Sequence, residues 1–193
     1  MTKQRTLPGD LNHNARSYVN VQEAEIAQMI RVNHAGEYGA QRIYKGQIAV
    51  LGDDPECGPL LRHMAEQEDV HLEYFDTSLQ SRKVRPTVFQ PLWHVGGYAL
   101  GYVTAKMGKR AAMACTVAVE DVISTHYGEQ LYTLNNVNTE PELQKTIAKF
   151  KAEEEEHHDI GIENEAEMTK GYNALFTVVQ SISKAAIFLS KRF

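Results

Sequence analysis

Two short stretches, Glu68-Asp69-Val70-His71 and Glu154-Glu155-Glu156-His157, carry the side chains best suited to chemistry. Each is a Glu-x-x-His pair inside a long helical pattern, and three residues is nearly one turn. The carboxylate and the imidazole therefore project from the same helix face. Glu37 precedes the first pair and Glu120 the second at nearly equal spacing, so the chain reads Glu, Glu-x-x-His, Glu, Glu-x-x-His. Four carboxylates and two imidazoles suit a pair of divalent ions. About four negative charges offset the repulsion between the ions, two neutral rings complete the shell, and positions stay open for a small molecule such as O2. The only thiols, Cys57 and Cys115, are far apart with no Cys-x-x-Cys. That argues against a disulfide framework, a structural zinc site and an iron–sulfur or rubredoxin-type centre.

The inventory is that of ferritin-like di-iron and di-manganese bundles, in which four helices each aim residues inward. Glu37 sits in Asn33-His34-Ala35-Gly36-Glu37-Tyr38-Gly39-Ala40, where small neighbours leave room for an ion between helices. Glu120 interrupts the apolar run Cys115-Thr116-Val117-Ala118-Val119. A buried carboxylate there needs a partner, either a metal or a salt bridge. His34, one turn before Glu37, and His126, six residues after Glu120, are candidates to orient a ligand from outside the inner set; each reads equally as a surface or capping histidine. Tyr44 and Tyr127 lie two turns after Glu37 and Glu120, on the same faces. Tyr44 reads chiefly as core packing; Tyr127 is a further candidate to touch substrate or relay electrons. Glu153, Glu155 and Glu156 read as a solvated acidic face, with His158 pointing elsewhere.

These side chains require long helices. The expected class is all-α: a four-helix bundle with a crossover connection, plus two additional apolar or amphipathic helices. Residues 1–20 read as a flexible N-terminal arm and 21–193 as a single domain. Asn20-Val21-Gln22-Glu23 has the form of a capping box opening a helix to about Leu51. Gly52-Asp53-Asp54-Pro55 ends it, and Pro55 suits the first turn of a second helix to about Arg82. Pro86 and Pro91 mark the long connection between halves. From Leu92 to about Asn135 the pattern is helical and apolar, dividing near Gly108. Thr139-Glu140-Pro141-Glu142 opens a helix to about Lys170, and a last helix follows Gly171 to about Lys191. No stretch alternates as a strand would.

The chain has 193 residues, enough for one sizeable core, with 42% hydrophobic and 23% charged residues. A net charge of −5 gives no reason to expect nucleic acid as a partner. The polar first twenty residues show no apolar signal core, so a bacterial source or an already processed chain is expected.

The run His34-Ala35-Gly36-Glu37-Tyr38-Gly39-Ala40, Glu68-x-x-His71, Thr116-Val117-Ala118-Val119-Glu120 with His126-Tyr127, Glu154-Glu155-Glu156-His157-His158-Asp159-Ile160-Gly161 and the closing Ala-Ile-Phe-Leu-Ser-Lys-Arg together resemble the demethoxyubiquinone hydroxylase family of ubiquinone biosynthesis. The resemblance covers roughly residues 22 to 193. It implies a monooxygenase that inserts one atom of O2 into a polyprenyl methoxy-methyl-benzoquinol. The family's six ligand positions are all filled, by Glu37, Glu68, His71, Glu120, Glu154 and His157. Two iron ions per chain are expected, with Glu120 and Glu37 or Glu154 bridging them. NADH is the expected reductant by resemblance alone, since no dinucleotide fingerprint is present.

A place for an apolar substrate is visible independently. Leu92 to Met107 is apolar, and the final helix carries Leu175, Val178 or Val179, Ile182, Ala186 and Leu189 on one stripe. Lys106, Lys109, Arg110, Lys184, Lys191 and Arg192 lie in the same two regions. Apolar stripes with basic edges suit helices lying in a membrane interface, while packing on the bundle or on a second subunit is the structural alternative. A peripheral protein of the cytoplasmic face of a bacterial inner membrane, or of the mitochondrial matrix face, is expected. Other ubiquinone-biosynthesis proteins and a homo-oligomer are its candidate partners. A ferroxidase or peroxidase of the same fold, and a non-enzymatic quinone-binding scaffold, remain the alternative functions.

Overall fold

A computed structural model describes the backbone of residues 9–137 and 139–193. Six helices make up the fold: α1 (Gly9–Leu51), α2 (Cys57–Ser81), α3 (Gln90–Lys106), α4 (Lys109–Val137), α5 (Pro141–Glu163) and α6 (Tyr172–Arg192). There is no strand among the described residues. α1 pairs with α2 and α4 with α5 as two helical hairpins, and the hairpins close on each other as a four-helix bundle. α3 lies along α1, and α6 lies across α4 and α1.

The hairpin turns have local causes. Asp54 Oδ1 accepts the backbone N–H groups of Glu56 and Cys57 at 3.0 and 2.8 Å and so starts α2. Pro55 thus precedes α2 instead of sitting in its first turn. Gly108 and Gly171, at φ +114 and +78, end α3 and open α6 as expected.

Other boundaries differ from the sequence reading. Among the described residues α1 spans Gly9–Leu51, so residues 9–19, expected as part of the arm, belong to the helix and Asn20 lies within it instead of at its start; residues 1–8 lie outside the described residues. Glu140, not Thr139, precedes α5, and Arg82 at the end of α2 grips it with two hydrogen bonds of 2.8 and 2.6 Å. α5 stops at Glu163, because the Asn164 side chain bonds back to the Ile160 carbonyl and Glu165 turns left-handed at φ +62. A short 3-10 turn, Ala166–Met168, then buries Ala166 before α6.

Gly101 of α3 and Gly46 of α1 have a packing role. A Cβ on Gly101 would lie 1.9 Å from the Ile43 carbonyl oxygen, and one on Gly46 would lie 2.3 Å from that of Tyr98. Only glycine lets α1 and α3 meet backbone to backbone here. The bundle core proper is aliphatic and aromatic, with Ile30, Phe75, Ile147 and Phe150 at one end and Leu61, Met64 and Met113 at the other.

The stripe expected on α6 divides. Val179 is fully buried, whereas Val178, Ile182 and Phe188 are exposed. On α3 and its C-cap, Val95, Val103 and Met107 are also exposed, spaced by multiples of four on one face. Lys109 and Arg110 are paired with Glu56 and Glu165. Lys106 and Arg192 instead cover the rings of Tyr102 and Phe188 on this surface.

Candidate metal centre

α1, α2, α4 and α5 bring Glu37, Glu68, His71, Glu120, Glu154 and His157 together in the middle of the bundle. All six are at most 1% exposed. Their donor atoms form two overlapping sets, Glu37, Glu68, His71 and Glu154, and Glu68, Glu120, Glu154 and His157, with the atoms of each set within 4.8 Å of one another. Glu68 and Glu154 belong to both sets, while Glu37 and Glu120 each belong to one. The sequence reading expected Glu120 with Glu37 or Glu154 as the bridging groups; the groups common to both sets are Glu68 and Glu154. The reason is geometric: the carboxylates of the two Glu-x-x-His pairs meet at the centre and their histidines flank them.

All six groups have donor atoms without a hydrogen-bond partner. They are Glu37 Oε2, both oxygens of Glu68 and of Glu154, Glu120 Oε2, and Nδ1 of His71 and of His157. Buried polar atoms left unpaired in such number are costly, and cations placed among them would remove the cost. The donor set, carboxylate oxygen and imidazole nitrogen with no thiolate, fits two ions of iron or manganese type.

The electrostatics agree. Burial pushes the carboxyls of Glu37, Glu68 and Glu120 upward, most strongly for Glu68 and Glu120. Burial also opposes charge on Glu154, yet the rings of His157 and His71, with Nδ1 at 3.3 and 3.1 Å from its oxygens, pull its pKa down to about 2. Burial likewise opposes charge on the two histidines, but the surrounding carboxylates carry His71 up to about 12 and His157 up to about 11. Cations placed among these carboxylates would supply the opposite charge that burial otherwise withholds.

Around this set lies a reciprocal second layer. The Tyr127 hydroxyl donates to Glu37, and the Tyr44 hydroxyl donates to Glu120 Oε1 at 2.7 Å. Each tyrosine, two turns after the glutamate of its own helix, holds the glutamate of the other. The histidines are held in the same crossed manner. His71 Nε2 donates to Glu153 at 2.9 Å, and His157 Nε2 donates to Gln67 at 2.7 Å. Sequence reading missed Glu153 and Gln67, although both occupy the position just before the glutamate of a Glu-x-x-His pair, and it took Tyr44 chiefly as packing.

The histidines outside the pairs go elsewhere. His34 bonds Asp76 at 3.0 Å. His126 accepts from Gln130 at 2.8 Å and lines a polar pocket with Glu25, Gln28, Glu129 and Lys191, and none of its described contacts reaches the six-residue set. Burial, with Lys191 nearby, lowers its pKa to about 4. The expected orienting role for His126 thus has no contact to work through, whereas Tyr127 has one.

An apolar cavity of about 310 Å³ opens between α1, α3, α4 and α6. Its lining includes Gly36, Ala40, Val119 and Ile123, which neighbour Glu37 and Glu120 in sequence.

Residues 24–190 match the family described as "Ubiquinone biosynthesis protein COQ7". The chain belongs to this family. It is 49% identical over 176 residues to a rat protein named "NADPH-dependent 3-demethoxyubiquinone 3-hydroxylase, mitochondrial", covering 90% of this chain and 81% of the relative. It is 44% identical over 191 residues to the "3-demethoxyubiquinol 3-hydroxylase" of Rhodospirillum rubrum, covering 99% and 85%. A yeast relative, "5-demethoxyubiquinone hydroxylase, mitochondrial", is 37% identical over 187 residues. Within the COQ7 family match fall all six residues of the central set and both tyrosines.

Proposed function

We propose that this chain is a di-iron monooxygenase that hydroxylates the ring of a polyprenyl methoxy-methyl-benzoquinol. Glu37 and His71 would hold one ion, Glu120 and His157 the other, and Glu68 and Glu154 would be shared. Such an ion pair supplies the O2 binding and electron transfer that insert one oxygen atom into a ring C–H bond, the second atom leaving as water. Two electrons and two protons balance that reaction. The rat relative is named for NADPH, so a reduced nicotinamide is the proposed donor. The protein's own part is to hold the ions, exclude water and present the ring. Tyr127 and Tyr44 fix the outer carboxylates by donating to them.

The apolar cavity carries this reading. An iron-storage or ferroxidase centre would profit from a polar path to the ions. The cavity of this chain is instead apolar, lined by Gly36, Ala40, Val119 and Ile123, neighbours in sequence of Glu37 and Glu120, and by Leu92, Trp93 and Ile182. Purified protein loaded with Fe(II) should convert a short-tailed demethoxyquinol to its hydroxylated product and incorporate one atom from labelled O2. Iron oxidation without any hydroxylated quinol would favour the ferroxidase.

Gly36 offers a second test. It lies mid-helix in α1, lines the cavity, and a Cβ there would meet nothing within 4 Å. Packing does not require glycine at this position, and glycine costs about 1 kcal/mol relative to alanine inside a helix. Gly36→Ala should therefore raise Tm by about 2–4 °C while slowing quinol turnover and leaving iron content unchanged. Faster turnover would show that the cavity is not where the ring sits.

A polyprenyl tail on the substrate supports a location at a membrane. α6 is long and apolar enough to cross a bilayer by length and composition, but it packs along α4 and α1, so we read it as lying in the interface. The exposed face of α3 and α6 would enter the lipid, with Lys106, Lys184 and Arg192 toward anionic headgroups. This would be the cytoplasmic face of the inner membrane in a bacterium. Val95→Ser, Val103→Ser and Phe188→Ser combined should weaken flotation with anionic liposomes roughly 100-fold, at about 1 kcal/mol per side chain. Turnover of a short-tailed analogue should hardly change. If Tm falls and both activities are lost, this face is packing or subunit interface.

A further inference from the structure

The two ion positions are alike in nearly every respect. They share Glu68 and Glu154, each adds one further glutamate, and a tyrosine hydroxyl donates to that glutamate. Each histidine turns an unpaired Nδ1 inward and donates from Nε2 outward. They differ in what receives that outward hydrogen bond. His71 meets the carboxylate of Glu153, which is 20% exposed and braced by Lys149 at 3.2 Å, one turn earlier on α5. His157 meets the neutral amide oxygen of Gln67.

That difference acts on the ligand nitrogen. A carboxylate accepting the ring N–H draws the proton outward and makes the opposite nitrogen a stronger donor; an amide oxygen fixes the ring without adding charge. The Glu153 side also brings one more negative charge near a cation.

Building on the metal centre proposed above, we propose that Glu153 and Gln67 are positioning residues that make the two ion positions unequal. The His71 position binds its ion first and more tightly, and the His157 position fills second and gives up its ion first.

The full chain, stripped of metal and titrated with Co(II), should bind two ions in two steps separated by about 10- to 100-fold, the usual reach of an outer hydrogen-bond partner. Visible cobalt absorption and calorimetry both read the steps. Glu153→Gln keeps the side-chain shape and should weaken the first step until the two merge. Gln67→Glu should tighten the second step toward the first. Unchanged thermal unfolding of the metal-free variants separates this from a folding defect. Wild-type protein that binds both ions in one unresolved step would overturn the proposal. So would an unaltered step separation in both variants. Two cobalt ions bound equally by Glu154→Ala would instead remove the metal centre itself.

Discussion

Glu154→Ala should abolish hydroxylation and leave less than one iron per chain. No other side chain is so connected. Glu154 belongs to both donor sets, and its two oxygens face His71 Nδ1 at 3.1 Å and His157 Nδ1 at 3.3 Å. Replacing it removes one ligand from each position and the carboxylate that sits between the two rings. A loss of at least about 1000-fold, or roughly 4 kcal/mol of barrier, is expected. Glu155→Ala is the control. Glu155 is exposed, pairs with Lys151, and sits about 100° around the helix from its neighbour. Iron analysis and turnover of both variants decide the matter. Two irons and normal turnover in Glu154→Ala would remove this residue from the centre. Iron lost in Glu155→Ala alone would shift the register by one.

The second large effect is expected far from any ligand. In Gly101→Ala the new methyl would lie 1.9 Å from the Ile43 oxygen and 2.7 Å from its carbonyl carbon. Backbone cannot yield as a side-chain tip does, so α3 must move off α1. Overpacking of this kind typically costs about 1–3 kcal/mol, and a clash with backbone belongs at the upper end. Tm should fall by about 5–10 °C. Because α3 forms one wall of the cavity, quinol turnover should drop further than stability explains, while iron content stays near two. Gly96→Ala provides the comparison, since a Cβ at Gly96 meets nothing within 4 Å. It should leave Tm unchanged or slightly higher. Equal melting of the two variants would mean that the α1–α3 approach is loose.

The helices and the inner six residues were legible because each depends on spacing within one helix. Glu-x-x-His puts both groups on one face whatever surrounds it. The same rule, applied fully, would have set His126 aside: six residues after Glu120 is about 240° around the helix, whereas Tyr127 returns nearly to the same face. The second layer was harder to see. Gln67 and Glu153 act on histidines of the opposite hairpin, and nothing local distinguishes Glu153 from its solvated neighbours Glu155 and Glu156. Which carboxylates meet at the centre depends in the same way on how the hairpins interlock. The start of α1 was misplaced because a capping-box pattern at Asn20 is equally compatible with the interior of a longer helix. The cavity was legible only in part: the apolar stretches of α3 and α6 were visible, but its other walls come from α1 and α4.

The crossed contacts bear on where such a chain could have come from. Neither hairpin completes its own half: Tyr44 and Gln67 reach from the first into the second, and Tyr127 and Glu153 reach back. These are the relations that an isologous two-fold contact imposes, in which residue i meets j and j meets i. A single hairpin of this design, unable to furnish a complete site alone, would do so by pairing with its twin. Joining two copies end to end then frees each from strict symmetry. Glutamine can replace a carboxylate on one side only, and the helices that follow the two hairpins can pack differently, α3 along α1 and α6 across α4 and α1.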